Sequence, residues 1–178
     1  MNRRAAMIKQ RCFCCGLLLA VSGALAHDGR VYVTGTITDN TCTLSPDSEN
    51  IQVDMGTVSN RQFYQTGAGA EWQPFSITLQ NCGSTASGVT LSFNGVSDSQ
   101  SGDLFALDSG ANAASGIGIA LYDKNKQQIA PGAQSDVQAL SAGAASQRLQ
   151  FYARYVADGA PVAPGVADAS ATFVLSYE

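Results

Sequence analysis

The chain has 178 residues, of which 45% are hydrophobic and only 13% carry a charge. That length suits one domain with a substantial core and is short for two. Four of the ten lysines and arginines fall in the first 26 residues, so the remainder has six bases against 14 acids, a formal charge of −8. An acidic domain repels a phosphate backbone, which argues against a general nucleic-acid binder. The single histidine, His27, argues against a hydrolase or a metalloenzyme.

The first 26 residues have the pattern of a secretory signal peptide. Residues 1–11 are basic, residues 16–24 are apolar, and Ala24 and Ala26 are the small residues that a signal peptidase reads. The apolar run is shorter than the roughly 20 residues that a membrane-spanning helix needs. We therefore predict cleavage after Ala26, which leaves an exported chain that starts at His27.

Two cysteines, Cys42 and Cys82, remain after this cleavage, because the other three lie inside the predicted signal peptide. In the oxidising environment of an exported protein, two remaining cysteines favour one disulfide bond. Closing a loop of this length destabilises the unfolded chain by about 4 kcal/mol through its entropy. Redox catalysis would use a close C-x-x-C pair, so we predict a structural bond.

Hydrophobic residues alternate with polar ones along most of the exported chain, and no window has a sustained helical period. The first alternating run covers residues 31–37, with Val31, Val33, Gly35 and Ile37 on one face. Later runs have inward positions at 51/53/55, 75/77/79, 89/91/93, 117/119/121, 149/151/153/155 and 173/175/177. Clusters of glycine, serine, asparagine and aspartate separate the runs. This pattern predicts an all-β, antiparallel sandwich of a single domain.

The runs at the two ends of the exported chain are unusual. Glycine weakens a strand, so Gly35 at an inward position indicates a bulge or a place where a shallow pocket or another backbone leaves no room. The pattern alone leaves open an ordinary first strand with a bulge. At the other end, residues 171–178 continue as a strand to the last residue, with Phe173, Leu175 and Tyr177 on one face. A terminal strand that does not fray suggests an edge that pairs with something.

Other patterns for catalysis or binding are weak. The Gly-Ile-Gly of residues 116–118 lacks the third glycine and the βαβ setting of a dinucleotide loop. Three aspartates recur at five-residue spacing from Asp98, but they fit no EF-hand pattern, so a solvated loop is favoured over a calcium site. A Ser–His–Asp triad would depend on His27 at the new terminus. We therefore predict no enzyme activity, no cofactor, no metal and no small-molecule substrate.

Several segments, taken together and in order, resemble those of a known protein family. They are residues 31–42, the Cys42/Cys82 spacing, residues 93–98, 114–119 and 151–154, Gly165 at the fourteenth position from the C-terminus, and the ending 171–178. The sequence of residues 27–178 resembles the pilin subunits of chaperone–usher fimbriae, and most closely the adaptor-type minor subunits of type 1 fimbriae. In that family, a glycine fourteenth from the end belongs to a chaperone-recognition motif.

The resemblance implies an incomplete immunoglobulin-like β-sandwich that lacks its last strand and is completed by a donated one. A periplasmic chaperone lends a strand to the open groove, and the amino-terminal extension of the next subunit replaces it during assembly at an outer-membrane usher. On this sequence, residues 27–41 become the donor extension and residues 42–178 the pilin domain. The donor side chains are then Val31, Val33, Gly35 and Ile37, and the chaperone and acceptor-groove edge contains Gly165, Phe173, Leu175 and Tyr177.

The implied function is that of a structural subunit of a cell-surface fimbrium, a minor or adaptor pilin that polymerises with neighbouring pilins and supports cell adhesion. The alternative is a secreted carbohydrate-binding tip adhesin that uses Tyr64 and Trp72 for a sugar. Adhesins of the family resemble a lectin domain followed by a pilin domain. Only the second of these is present in this sequence, which favours the structural subunit.

Overall fold

The computed structural model describes residues 31–178, so the predicted signal peptide and its cleavage site lie outside the described residues. The described part of the first unit, residues 31–36, contains no helix or strand. The second unit, residues 37–178, contains all the strands found in the described chain. No helix between residues 31 and 178 is long and apolar enough to cross a membrane.

Eight strands and two short 3₁₀ turns make up the second unit, and residues 37–178 contain no α-helix. The turns are Pro46–Ser48 and Asn60–Gln62. The strands are β1 (Thr43–Leu44), β2 (Gln73–Gln80), β3 (Gly88–Asn94), β4 (Ile117–Tyr122), β5 (Gln128–Ile129), β6 (Gln138–Ala139), β7 (Ser146–Ala157) and β8 (Thr172–Tyr177). The predicted all-β class is confirmed.

The strands form two antiparallel sheets, one of five strands in the order β1-β2-β7-β4-β5 and one of three in the order β6-β3-β8. The long strand β7 is the centre of the larger sheet and pairs with β2 through Phe75 and Phe151. In the smaller sheet β3 is central, and Leu91 lies opposite Leu175 of β8. The C-terminal strand β8 is therefore an edge strand.

The core lies between the two sheets and is built by the alternation that the sequence shows. Ile77, Leu79 and Phe151 point inward from the larger sheet, and Val89 and Leu91 do so from the smaller one; all five are fully buried. Successive side chains of a strand point to opposite faces, so every second residue reaches the core. On the outer face of the larger sheet a second, smaller apolar cluster of Leu104, Ala120 and Val156 is also buried.

The predicted disulfide is present and joins Cys42, directly before β1, to Cys82, in the loop after β2. β1 itself pairs with the end of β2, with Thr43 opposite Gln80 and Leu44 opposite Leu79. The disulfide therefore links the paired ends of β1 and β2 at the point where the domain begins.

Two of the predicted strands are not strands in the structure. In residues 51–55 the side chains of Ile51, Val53 and Met55 pack against the core as expected, but the segment belongs to neither sheet. Its backbone makes no hydrogen bond to another described segment. Residues 31–37 also form no strand. An extended segment becomes part of a sheet only when a second strand accepts and donates its backbone hydrogen bonds.

Candidate strand-binding groove

An open groove of about 1190 Å³ runs along one side of the sandwich, between residues 49–56 and residues 167–173. The second of these segments leads into β8. The floor of the groove consists of core side chains, among them Phe75, Phe93 and Phe105. Phe93 lies 5.4 Å from Phe151 and 6.2 Å from Phe75 between ring centroids, so the floor continues the aromatic centre of the core. The groove therefore opens the core itself to the surface.

Both sides of the groove have backbone groups without sheet partners in the described chain. Strand β8 pairs with β3 along one edge only, and residues 50–55 pair with nothing. Such edges are templates for another strand, because each extended residue offers an N–H donor and a C=O acceptor. The groove has the geometry of a slot for one extended segment with alternating apolar side chains.

The predicted edge residues of β8 share one face of that strand. Phe173, Leu175 and Tyr177 are half-buried and pack against the core, while the residues between them are exposed. Phe173 lines the groove directly. The Tyr177 hydroxyl donates a 3.0 Å hydrogen bond to the carbonyl oxygen of Cys42. Burial raises the pKa of Tyr177, which keeps this hydroxyl protonated as a donor.

The rim segment that leads into β8, residues 167–173, is held by Tyr155, a residue that the sequence did not single out. Its hydroxyl donates a 2.7 Å hydrogen bond to the carbonyl oxygen of Ala167. Burial, with additional effects of the Asp168 and Asp54 carboxylates, raises the pKa of Tyr155. Both aspartates line the groove, as does Glu49, so its rim is acidic around an apolar floor. In the sequence, Tyr155 is recognisable only as one of the inward-facing residues of the alternating run that forms β7.

Gly165 does not line the groove; of the four predicted edge residues only Phe173 does, since Leu175 and Tyr177 are also absent from its lining. Two backbone hydrogen bonds, from Val166 to Asn112 at 2.7 Å and from Ala114 to Val166 at 2.8 Å, hold the segment of Gly165 to another loop. A Cβ at Gly165 would come within 2.5 Å of backbone atoms of residues 112–114. This close approach requires glycine inside the subunit, and a role in chaperone recognition stays a prediction.

The predicted donor side chains are exposed in residues 31–37. Val31, Val33 and Ile37 have exposed fractions of 88%, 90% and 101%. A Cβ at Gly35 would meet no described atom within 4 Å. Nothing in the described structure therefore explains why position 35 is glycine.

Trp72, the centre of the alternative sugar-binding hypothesis, is engaged in contacts within the chain. The Lys126 ammonium and the Arg154 guanidinium each lie 4.6 Å from the centroid of its ring. The ring of Tyr122 meets it edge-on at 4.5 Å. Such cation–π contacts occupy the surface on which a sugar would stack. Tyr64 is exposed and has no place in this cluster.

Comparison with known proteins gives the decisive observation: residues 31–178 match the family described as fimbrial protein. The chain belongs to the fimbrial protein family. Long polar fimbria protein A of Salmonella typhimurium is 34% identical over 178 residues, covering 97% of this chain and 98% of that relative. The resemblance found in the sequence is thereby confirmed at the level of the family.

Solved structures of fimbrial subunits share the fold. The P pilus rod subunit PapA superposes with a TM-score of 0.63 at 25% identity, covering 77% of this chain and 99% of PapA. A subunit of a chaperone–usher pilus superposes with a TM-score of 0.64 at 24% identity, covering 86% of this chain and 97% of that one. The fimbrial subunit thus has an incomplete immunoglobulin-like sandwich, as predicted. It is a structural protein of a surface fimbria, not an enzyme.

Proposed function

We propose that this fimbrial subunit polymerises by donor-strand exchange, in which residues 27–41 of one subunit fill the groove of the pilin domain, residues 42–178, of the next. The observation that carries the proposal is the groove with unpaired backbone on both sides, residues 50–55 and β8, above an apolar floor. A strand placed there would complete the smaller sheet beyond β8 and cover the exposed core.

The extension has the length and pattern that this groove requires. Extended, residues 31–37 span about 23 Å and the six residues of β8 about 20 Å, so the two run side by side over most of their length. Val31, Val33, Gly35 and Ile37 fall on one face, which is the face that would meet the floor. Burying a valine or isoleucine side chain contributes about 1.5–3 kcal/mol, so each of the three apolar donors would stabilise the inserted strand by about this amount.

Before assembly the groove needs another occupant, for which we propose a periplasmic chaperone, with an outer-membrane usher as the site of exchange. The exposed floor is a continuous apolar surface that includes Phe75, Phe93 and Phe105. Surfaces of this kind cause association in free solution. A chaperone strand paired with β8 would cover it during export.

Strand exchange is tested with a synthetic peptide of residues 31–38 added to the purified complex of subunit and chaperone. We expect the peptide to displace the chaperone and to yield a monomeric subunit with a raised melting temperature. The matched control is a peptide of identical composition in which Val33 and Thr34 are exchanged, as are Thr36 and Ile37, because this breaks the alternation. Equal displacement by both peptides, or by neither, would contradict the proposal.

We further propose that the chain is a minor, adaptor-type subunit that supports cell adhesion. The proposal is supported by the resemblance carried by residues 31–42 and 171–178 to adaptor subunits. Crosslinking of purified fibres followed by mass spectrometry identifies the neighbours of this chain. Two different neighbours are expected for an adaptor, whereas neighbours that are mainly copies of itself would assign it to the rod.

A further inference from the structure

The point at which the extension joins the domain is held by contacts of Asp39 with the loop that follows β2. One carboxylate oxygen of Asp39 accepts a 3.2 Å hydrogen bond from the Ser84 amide. The carbonyl oxygen of Asp39 accepts a 3.1 Å hydrogen bond from the Thr85 amide. Two residues later, the carbonyl oxygen of Thr41 accepts a 2.8 Å hydrogen bond from the Gly83 amide. Both sides of this contact belong to the second unit.

Gly83 allows Asp39 to approach this closely. A Cβ at position 83 would overlap both the carbonyl oxygen and the carboxylate of Asp39. Gly83 is buried, and its neighbour Cys82 forms the disulfide with Cys42. The carbonyl oxygen of Cys42 also accepts the hydrogen bond of Tyr177. The chain is therefore tied to the domain from Asp39 onward, while Ile37 is fully exposed.

We propose that Asp39 is a positioning residue that fixes the direction in which the extension leaves the domain and so sets the stiffness of the joint between successive subunits. This inference rests on the proposed donor-strand exchange. When Asp39 is held, only Thr38 lies between Ile37, the last donor side chain, and the first tie to the domain. Without the Asp39 carboxylate, residue 39 keeps only the hydrogen bond from the Thr85 amide to its carbonyl oxygen, so one of the two ties at this position is lost. When the remaining bond opens, residues 38–40 are all free, and each free residue contributes two soft backbone dihedrals.

The test is the persistence length of assembled fibres, measured by electron microscopy. Asp39→Ala removes the carboxylate, and because residue 39 is then held by one hydrogen bond instead of two we expect the persistence length to fall about twofold. Asp39→Asn retains a side-chain acceptor oxygen for Ser84 and should restore the wild-type stiffness. Asp47→Ala is the matched control, since it removes one acid at an exposed residue of the first 3₁₀ turn and should change nothing.

A second measurement covers the case in which Asp39→Ala does not assemble. In the complex of subunit and chaperone, we expect hydrogen exchange at the Ser84 amide, which donates to the carboxylate, to accelerate in Asp39→Ala and not in Asp39→Asn. Unchanged exchange, or Asp39→Ala fibres as stiff as the wild type, would overturn the role of Asp39. A wild-type subunit that donates no strand would instead contradict donor-strand exchange itself, so the two failures are distinguishable.

Discussion

Two positions of this chain, 165 and 35, are occupied by glycine for different physical reasons. At Gly165 the reason lies within the subunit, because backbone atoms of residues 112–114 occupy the place of a Cβ. At Gly35 no described atom lies within 4 Å of that place. Because Gly35 interrupts an apolar alternation and meets no described atom, we propose that the reason for this glycine is a contact with another molecule.

The first prediction concerns Gly35→Arg. We expect the complex of subunit and chaperone to form normally, because residue 35 makes no contact in the described structure. Donation of the extension to an acceptor subunit should fail, since the new side chain brings bulk and a charge that the apolar groove cannot pair. The measurement is paired, with recovery of the complex first and strand donation to a purified acceptor second.

The matched control for this variant is Thr34→Arg, which adds the same charge to the opposite face of the extension. That face points away from the groove in the proposed arrangement, so donation should persist. Loss of the chaperone complex in Gly35→Arg would favour an ordinary first strand. Unchanged donation would refute the assignment of Gly35 to the groove.

At the scale of elements, residues 50–55 and β8 show how a strand pattern and a strand differ. Both segments alternate, and both turn their apolar side chains to the core. Only β8 has a neighbour, β3, with which to exchange backbone hydrogen bonds. The two segments flank the same groove, and in the proposed exchange the inserted strand lies between them.

The second prediction concerns the disulfide that closes the end of the sheet formed by β1 and β2. Cys42→Ser or Cys82→Ser should lower the yield of exported subunit, because loop closure is worth about 4 kcal/mol and many domains have only about 5–15 kcal/mol in total. The measurement is the amount of subunit in the periplasm, with free thiols counted in the folded wild type. The double variant, which has no free thiol, separates lost stability from thiol chemistry. Two free thiols in the folded wild type would contradict the prediction.

At the scale of the whole molecule, the subunit is a sandwich with its core open along one side. The groove of about 1190 Å³ exposes aromatic side chains that a closed sandwich would bury. Its acidic rim and the charge of −8 on residues 27–178 give identical subunits a mutual electrostatic repulsion at long range. At contact distance the attraction between apolar floors and unpaired strand edges exceeds this repulsion, because these interactions act only at short range.

The third prediction is that subunit expressed without its chaperone aggregates or is degraded. Size-exclusion chromatography of periplasmic extracts, with and without the chaperone, measures this directly. Addition of the peptide of residues 31–38 during refolding should recover monomer, which identifies the open groove as the cause. A soluble, cooperatively folding monomer from chaperone-free expression would count against the prediction, unless its own extension filled the groove.

The sequence by itself determined the five longer strands, the disulfide and the class of the fold. Alternation reports which side chains face a core, and it correctly located β2, β3, β4, β7 and β8 because burial on one face of a strand has a period of two. The pairing of Cys42 with Cys82 followed from the export signal, which left no other partner. These properties depend on local order along the chain.

The tertiary structure alone decided which alternating segments lack a partner and where the core is open. The alternating pattern is the same at 51/53/55 and at 89/91/93. The first segment is an unpaired rim of the groove, whereas the second is the central strand β3, since pairing depends on neighbours that are distant in the chain. Tyr155 holding Ala167, Gly165 against residues 112–114 and Asp39 against Gly83 are likewise contacts between segments remote in sequence. No local period encodes them, because each depends on how two separate segments of the chain meet once the sheets have formed.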